Sequence, residues 1–146
     1  MLSQVTCQAQ PALGCVYKLV EIDSKPCIKL SNDIAKTTIP GAKCAYRLIS
    51  SDNVMLLDLL VPAKHAAPEA GERILCRHPF DNQKRAYVTP TRVITLHRLV
   101  FDGSDKSARA STTLDEIRSH VSKQLQLVRA DILRPLNPTP YKISAL

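Results

Sequence analysis

Tryptophan is absent from this sequence, and aromatic residues make up only 4% of it. The hydrophobic content of 45% is ordinary, so any core must be built from leucine, valine, isoleucine and alanine. No apolar run approaches the roughly 20 residues that a membrane-spanning helix requires. The start of the chain also lacks the basic and apolar pattern of a secretory signal peptide. We therefore expect a chain of about one domain's size in the cytosol, without membrane contact.

Paired cysteine motifs are lacking as well. The five cysteines show neither a C-x-x-C spacing nor a regular interval, and their number is odd. This usage is typical of reduced thiols in an intracellular protein. The cysteines are Cys7, Cys15, Cys27, Cys44 and Cys76.

Recognisable catalytic motifs are missing too: there is no nucleophile elbow, Walker loop or pair of carboxylates. Cys76 and His78 stand two residues apart, but no second pair completes a tetrahedral metal site. His120 follows Glu116 by four residues, which is the spacing of a helical ion pair. The sequence therefore predicts no catalytic, cofactor-binding or metal-binding residue in this chain.

Twenty basic and thirteen acidic residues give a net charge of +7, which raises the question of an anionic partner. No run of five basic residues occurs, and the few aromatics do not interleave with basic residues. Scattered surface charge is the simpler interpretation, so we expect no nucleic-acid partner. The alternative hypothesis for the function is that the chain is a stand-alone, basic, β-rich module that binds nucleic acid or a protein.

The strongest local pattern lies at 11–30, where a strand, a polar turn at 23–25 and a shorter strand predict a hairpin. Apolar residues alternate on both faces of the first strand, so we expect both faces to be covered. Lys18 is the exception on one face, and it has either a structural role or a role in contacting an anion.

Further hairpins are predicted at 45–49 with 55–61, and at 73–78 with 86–89 around a turn at 81–84. An extended segment at 92–101 precedes a loop at 102–112 that we expect to be mobile. Thr113 and Glu116 form a capping-box pattern before an amphipathic helix. Three prolines, Pro135, Pro138 and Pro140, then predict an extended path into 141–146. The fold class is therefore α+β, rich in β-hairpins with one helix near the C-terminus. The apolar stripe of that helix consists of Leu114, Ile117, Val121, Leu125 and Val128.

Seven ordered blocks together carry a resemblance that no single motif provides. The blocks 5–22, 28–31, 36–43, 46–48, 74–80, 85–90 and 136–142 resemble the C-terminal portion of animal nicotinate phosphoribosyltransferase. The resemblance implies an enzyme that joins nicotinate to phosphoribosyl pyrophosphate with ATP and Mg²⁺, works as a homodimer and begins NAD synthesis from nicotinate. It also implies that this chain is an incomplete part of the larger phosphoribosyltransferase fold.

The departures from the family limit what can be transferred to this chain. A Gly-Ile-Gly-Thr phosphate loop precedes the matching segment in the family, whereas residues 1–4 here read Met-Leu-Ser-Gln. None of the four histidines stands in the context of the family's phosphorylated histidine, so we assign no catalytic, cofactor or metal residue. The hypothesis is a C-terminal region that lacks activity alone and needs the remainder of the enzyme and a second subunit.

The same resemblance suggests a division of the chain. Residues 1–44 are expected to dock on the remainder of the enzyme through the hairpin, and 45–101 to form a small β-rich subdomain. The loop at 102–112 then leads to 113–146, a helix and a returning strand. The two remaining histidines, His65 and His97, receive no assigned role.

Overall fold

The computed structural model describes residues 17–33, 36–99, 103 and 112–146. The chain forms two compact units, Met1–Ala42 and Lys43–Leu146, and each is described by itself. Within the described residues, no helix combines the length and apolarity needed to cross a membrane. The predictions for 1–16, and for all of 102–112 but Gly103 and Thr112, lie outside the described residues.

The first unit contains a short hairpin in which β1 (Glu21–Ile22) pairs with β2 (Lys25–Pro26). Asp23 and Ser24 both have positive φ angles, 48° and 61°, which is the two-residue turn whose twist suits antiparallel strands. The turn is thus one residue shorter than predicted. Apolar side chains of this unit are exposed, since Ile22 is 52% exposed and Leu30 is 86% exposed.

The second unit is built on one mixed sheet of six strands, in the order β6-β5-β8-β4-β3-β7. The short strand β8 runs parallel to β4 and antiparallel to β5. It is therefore the element through which the β5–β6 hairpin joins the β3–β4 hairpin. The strands are β3 (Lys43–Ile49), β4 (Met55–Pro62), β5 (Ile74–His78), β6 (Asp81–Val88), β7 (Arg92–Thr95) and β8 (Ile143–Ala145).

Both predicted hairpins of this unit are present, with one difference in position. The β5–β6 chain reverses at residues 79–80, earlier than the predicted turn at 81–84. Arg77 faces Arg85, whereas the next residue of β5, His78, faces Asp81. Residues 82–84 of β6 therefore have no facing residue in β5 and form an irregularity in the strand. The strand β7 is also shorter than the predicted extended segment at 92–101.

The core lies on one face of the sheet, as the period of two in the strands requires. Along β4 the side chains alternate between buried and half-buried positions, and Leu59 has no exposed surface. The buried cluster consists of Tyr46, Leu48, Leu57, Leu59, Val61, Ile74 and Cys76. The fold is therefore the predicted α+β arrangement, with the core supplied by hairpins.

The predicted helix is confirmed as α1 (Leu114–Leu125), with Thr113 at its N-cap. The Thr113 hydroxyl accepts a hydrogen bond from the Glu116 backbone N–H, and the Glu116 carboxylate accepts from the Thr113 N–H at 2.7 Å. These bonds to Thr113 lower the pKa of Glu116. The carboxylate thus serves the capping box, which satisfies the backbone N–H groups of Thr113 and Glu116.

A tight loop leads from α1 to β8, and it is organised around Asp131. The Arg129 guanidinium donates to both carboxylate oxygens, at 2.9 and 2.6 Å. The Asp131 carbonyl accepts from the Thr139 N–H at 2.9 Å and from Arg134 at 3.2 Å. The loop therefore delivers the chain to β8 through a defined set of hydrogen bonds.

We expect Ser144→Pro to lower the free energy of unfolding by roughly 2–4 kcal/mol, because proline removes a ladder hydrogen bond from a strand that is paired on both sides. Ser144→Ala keeps the backbone N–H and should cost less than about 1 kcal/mol. Urea unfolding measures both. Equal losses in the two variants would contradict the role of β8 as the joining strand.

Asp131 gives the fold a predictable acid sensitivity. Hydrogen bonding from Arg129 lowers the pKa of Asp131 from 3.8 to about 2. Because the folded-state pKa is below the unfolded value, the carboxylate stabilises the fold above pH 4 or so, and this stabilisation is lost as the pH falls toward about 2. Asp131→Asn should flatten this part of the curve of stability against pH. Asp52→Asn, at an exposed position in the turn between β3 and β4, is the matched control for the loss of one carboxylate.

Candidate functional site

An ion pair across the β3–β4 hairpin links several described elements of the second unit. Arg47 and Asp58 face each other in the register, and Arg47 Nε and Nη2 lie 2.8 Å from Asp58 Oδ1 and Oδ2 respectively. The side chains are only 20% and 17% exposed. Such a bidentate pair is geometrically specific and stronger than a neutral hydrogen bond.

Two further contacts extend this pair to the helix and to the segment before β8. Arg47 Nη1 donates to Gln124 Oε1 of α1 at 2.9 Å. The Tyr141 hydroxyl donates to Asp58 Oδ1 at 2.9 Å, and the Arg47 guanidinium lies 6.0 Å from the centroid of the Tyr141 ring. We call Arg47, Asp58, Gln124 and Tyr141 the junction. It ties two strands, the helix and the returning chain together.

The electrostatics of the junction suit a structural role rather than proton transfer. The bond to Asp58 raises the pKa of Arg47. Burial, followed by the bond to Asp58, raises the pKa of Tyr141. A general acid or base works best when its pKa lies near the working pH, and both groups are moved away from neutrality. The junction therefore holds α1 and the returning segment in place.

The histidines lie in four different places and do not converge. His65 is in the loop after β4, His78 ends β5, His97 follows β7, and His120 is on α1; all four are exposed. No group of three histidine, cysteine or acidic side chains with a metal-binding arrangement occurs in the described part of the chain. The expected pairing of Glu116 with His120 gives way to the bonds between Glu116 and Thr113.

The thiols likewise lack the setting of a reactive cysteine. Cys76 is buried in the core, and this burial raises the pKa of its thiol, the opposite of what nucleophilic activation requires. Cys27 and Cys44 are half-buried and free. The two remaining cysteines, Cys7 and Cys15, lie outside the described residues.

Lys18, the residue whose role the sequence left open, makes a local contact in the first unit. Its ammonium group donates a hydrogen bond to the backbone carbonyl of Lys36, and the side chain is half-buried. A lysine that satisfies a carbonyl in its own unit is consistent with the structural interpretation.

An open depression of about 770 Å³ lies beside the loop that follows β4. Its wall consists of six apolar and three polar residues, and the Glu72 carboxylate is engaged by the Glu69 backbone N–H at 3.1 Å. A wall of this composition offers few convergent polar groups to orient a ligand. The lining residues are His65, Ala66, Ala67, Pro68, Glu69, Ala70, Glu72, Ile74 and Leu146.

The clearest functional feature is an apolar stripe on α1 that remains exposed. Leu114 is 61% exposed and Leu125 is 51% exposed, with Ile117 and Val121 at similar values. No residue of α1 is buried. A helix with an apolar stripe of this kind normally buries it against another element. The exposed stripe is therefore a candidate interaction surface.

Sequence reasoning identified the stripe but missed the junction. The signal was present, because Arg47 and Asp58 each interrupt an apolar strand of the same predicted hairpin. Their pairing could have been proposed from that fact. The contributions of Gln124 and Tyr141 depend on chain segments more than sixty residues away and had no local signal.

The junction generates a prediction about buried charge. We expect Arg47→Met to lower the free energy of unfolding by about 3–5 kcal/mol, because the Asp58 carboxylate is left half-buried without its partner. The double variant Arg47→Met with Asp58→Asn should be more stable than Arg47→Met alone. Arg118→Met removes the solvent-exposed ion pair between Arg118 and Asp115. It should lower the free energy of unfolding by less than about 1 kcal/mol. Urea unfolding measures the loss of unfolding free energy in the double variant and in Arg47→Met and Asp58→Asn separately. A loss in the double variant that equals the sum of the two separate losses would contradict this view of the junction.

Comparison with known proteins gives a consistent family. Residues 42–145 match the family model described as nicotinate phosphoribosyltransferase C-terminal domain, a range close to that of the second unit. Nicotinate phosphoribosyltransferase 2 of Arabidopsis thaliana is 49% identical over 141 residues, covering 96% of this chain and 25% of the relative. The Dictyostelium discoideum nicotinate phosphoribosyltransferase is 48% identical over 147 residues, with the same coverage of both chains.

A solved structure supports the same relation. The crystal structure of human nicotinic acid phosphoribosyltransferase superposes with a TM-score of 0.68 at 28% identity, over 90% of this chain and 24% of that one. The chain therefore spans about a quarter of the length of the relatives it matches. On this evidence, the chain belongs to the nicotinate phosphoribosyltransferase family and corresponds to its C-terminal domain.

Proposed function

We propose that this chain acts as the C-terminal region of an enzyme that makes nicotinate mononucleotide from nicotinate and phosphoribosyl pyrophosphate with ATP. The reaction is the first step of NAD synthesis from nicotinate. The observation that carries the proposal is the alignment of 96% of the chain, at 49% identity, with a quarter of a nicotinate phosphoribosyltransferase. The chain supplies structural support in the cytosolic enzyme, and the remainder of the enzyme supplies the chemistry.

The distribution of side chains supports this division of labour. Arg47 is engaged by Asp58 and Gln124, the Cys76 thiol is buried, and the described residues form no metal-binding group. Within the described residues, no group of histidine, cysteine or acidic side chains is arranged to hold Mg²⁺. We place Mg²⁺, ATP and both substrates on the remainder of the enzyme and its second subunit.

The exposed apolar surfaces support the need for a larger assembly. The α1 stripe is uncovered in the second unit, and the apolar side chains of the hairpin in the first unit are exposed. Apolar surface of this kind marks an interaction site when it is contiguous. We propose that the hairpin within 1–44 and the α1 stripe are covered by other parts of the homodimeric enzyme.

The first test is turnover by the chain itself. The purified chain should form no nicotinate mononucleotide from nicotinate, phosphoribosyl pyrophosphate, ATP and Mg²⁺ above a buffer blank. The Dictyostelium discoideum enzyme serves as the positive control under the same conditions. Product formation above the blank by the chain alone would refute the assignment of the chemistry to the remainder of the enzyme.

A chimera tests the structural role directly. This chain should restore activity when it replaces the matching quarter of the Dictyostelium discoideum enzyme. Ile117→Asp with Val121→Asp in the chimera should lower activity at least about tenfold, because two carboxylates cannot be buried on the stripe without a large cost. Arg118→Gln, on the polar face of the same helix, is the matched control. An unaffected stripe variant would show that the stripe is not buried in the enzyme.

A further inference from the structure

The β5–β6 hairpin carries an arrangement of charge that the proposed function does not use. Arg77 and Arg85 face each other directly in the register, and both are exposed. Ile74 and Cys76 are buried in the core, so Arg77 points to the opposite face of the strand. Like charges directly opposite each other on one face of a sheet are destabilising.

Nothing in the described part of the chain neutralises this pair. The ion pairs of the described residues involve other basic side chains, and Lys84 already pairs with Asp81 at 3.0 Å. Within the described residues, neither the Arg77 nor the Arg85 guanidinium group makes a hydrogen bond, an ion pair or a ring contact. The hairpin therefore places two arginines opposite each other on one face, an arrangement expected to cost stability.

A third guanidinium group and an aromatic ring extend the patch. The Arg73 guanidinium lies 4.1 Å from the centroid of the Tyr87 ring, and Tyr87 is 59% exposed. Tyr87 faces Leu75, two positions along the strands from the Arg77–Arg85 pair. Stacking on the ring fixes the Arg73 plane while leaving its N–H donors available.

The hairpin also ends the sheet. Strand β6 is the first in the strand order, and within the described residues no strand pairs with its outer edge. Exposed backbone N–H and C=O groups at such an edge can accept an added strand. A nucleic acid could use the arginines but not this backbone ladder, whereas an extended polypeptide can use both.

We propose that the β5–β6 hairpin is a docking surface for an acidic, extended segment of a partner protein. The segment adds a strand to the outer edge of β6 and places its carboxylates against Arg73, Arg77 and Arg85. Edge charges also discourage aggregation, but that purpose does not require two arginines to face each other. With its net charge of +7, a second copy of the chain is electrostatically a poor occupant. The proposal does not depend on the enzymatic activity proposed above.

The test uses the full chain and a fluorescein-labelled peptide of alternating glutamate and threonine. Arg77→Glu should weaken binding at least about tenfold, because a charge-assisted bond is replaced by repulsion. The same substitution places a glutamate opposite Arg85, so the melting temperature should rise by roughly 1–5 °C. Loss of binding therefore cannot be explained by unfolding. Lys64→Glu, an exposed substitution outside the hairpin with the same charge change, is the matched control and should alter affinity less than about threefold.

Hydrogen exchange then locates the bound segment. The peptide should protect amides at 85–88 of β6, while leaving the opposite edge strand β7 unchanged. The proposal is overturned by equal binding of the wild-type and Arg77→Glu chains, by equal binding of a peptide with glutamine in place of glutamate, or by protection elsewhere. Tighter binding of a single-stranded oligothymidylate that competes with the peptide would identify a nucleic-acid surface instead. A melting temperature lowered by Arg77→Glu would also refute the argument that the arginine pair costs stability.

Discussion

The second unit depends on the pairing of β8 between β4 and β5. Three residues, Ile143–Ala145, lie parallel to Asp58–Leu60 on one side and adjoin Arg77 of β5 on the other. Without this strand, the sheet would separate into two hairpin systems, because β5 and β4 make no direct ladder. The pairing of β8 with β4 closes a loop of more than eighty residues. The conformational entropy lost in closing this loop is offset only when the other contacts of the unit form as well.

Other features of the unit follow from this constraint. The helix α1 and the Asp131 loop lie between β7 and β8 in the sequence, so they must bring the chain back to the middle of the sheet. The junction fixes that return, because Tyr141 bonds to Asp58 just before β8 begins and Gln124 bonds to Arg47. The apolar stripe of α1 remains without a cover, and we propose that the remainder of the enzyme covers it.

The elements that sequence could predict are those with local signals. Alternating apolar residues located the β3–β4 hairpin, and Thr113 with Glu116 located the start of α1. The order of the strands could not be predicted, because the insertion of β8 between β4 and β5 is a long-range pairing. The β5–β6 turn was misplaced because the polar run at 81–84 resembles a turn, whereas the reversal occurs at 79–80 and the polar run enters the strand.

The functional features divide in the same way. The ordered blocks of the sequence predicted the family, and the family comparison confirms it. The absence of any assigned catalytic or metal residue remains a prediction. The junction and the arginine pair on the β5–β6 hairpin became visible only through strand register, because each depends on which residues face each other across strands.

Hydrogen exchange in α1 tests the central claim most directly, since that claim is that the exposed stripe belongs against the remainder of a larger enzyme. The measurement compares amides of Leu114–Leu125 in the isolated chain with the same amides in the full-length chimera. The account predicts much slower exchange in the chimera, with little change in the core strand β4, which is buried in both. Equal exchange rates for α1 in the two proteins would contradict it.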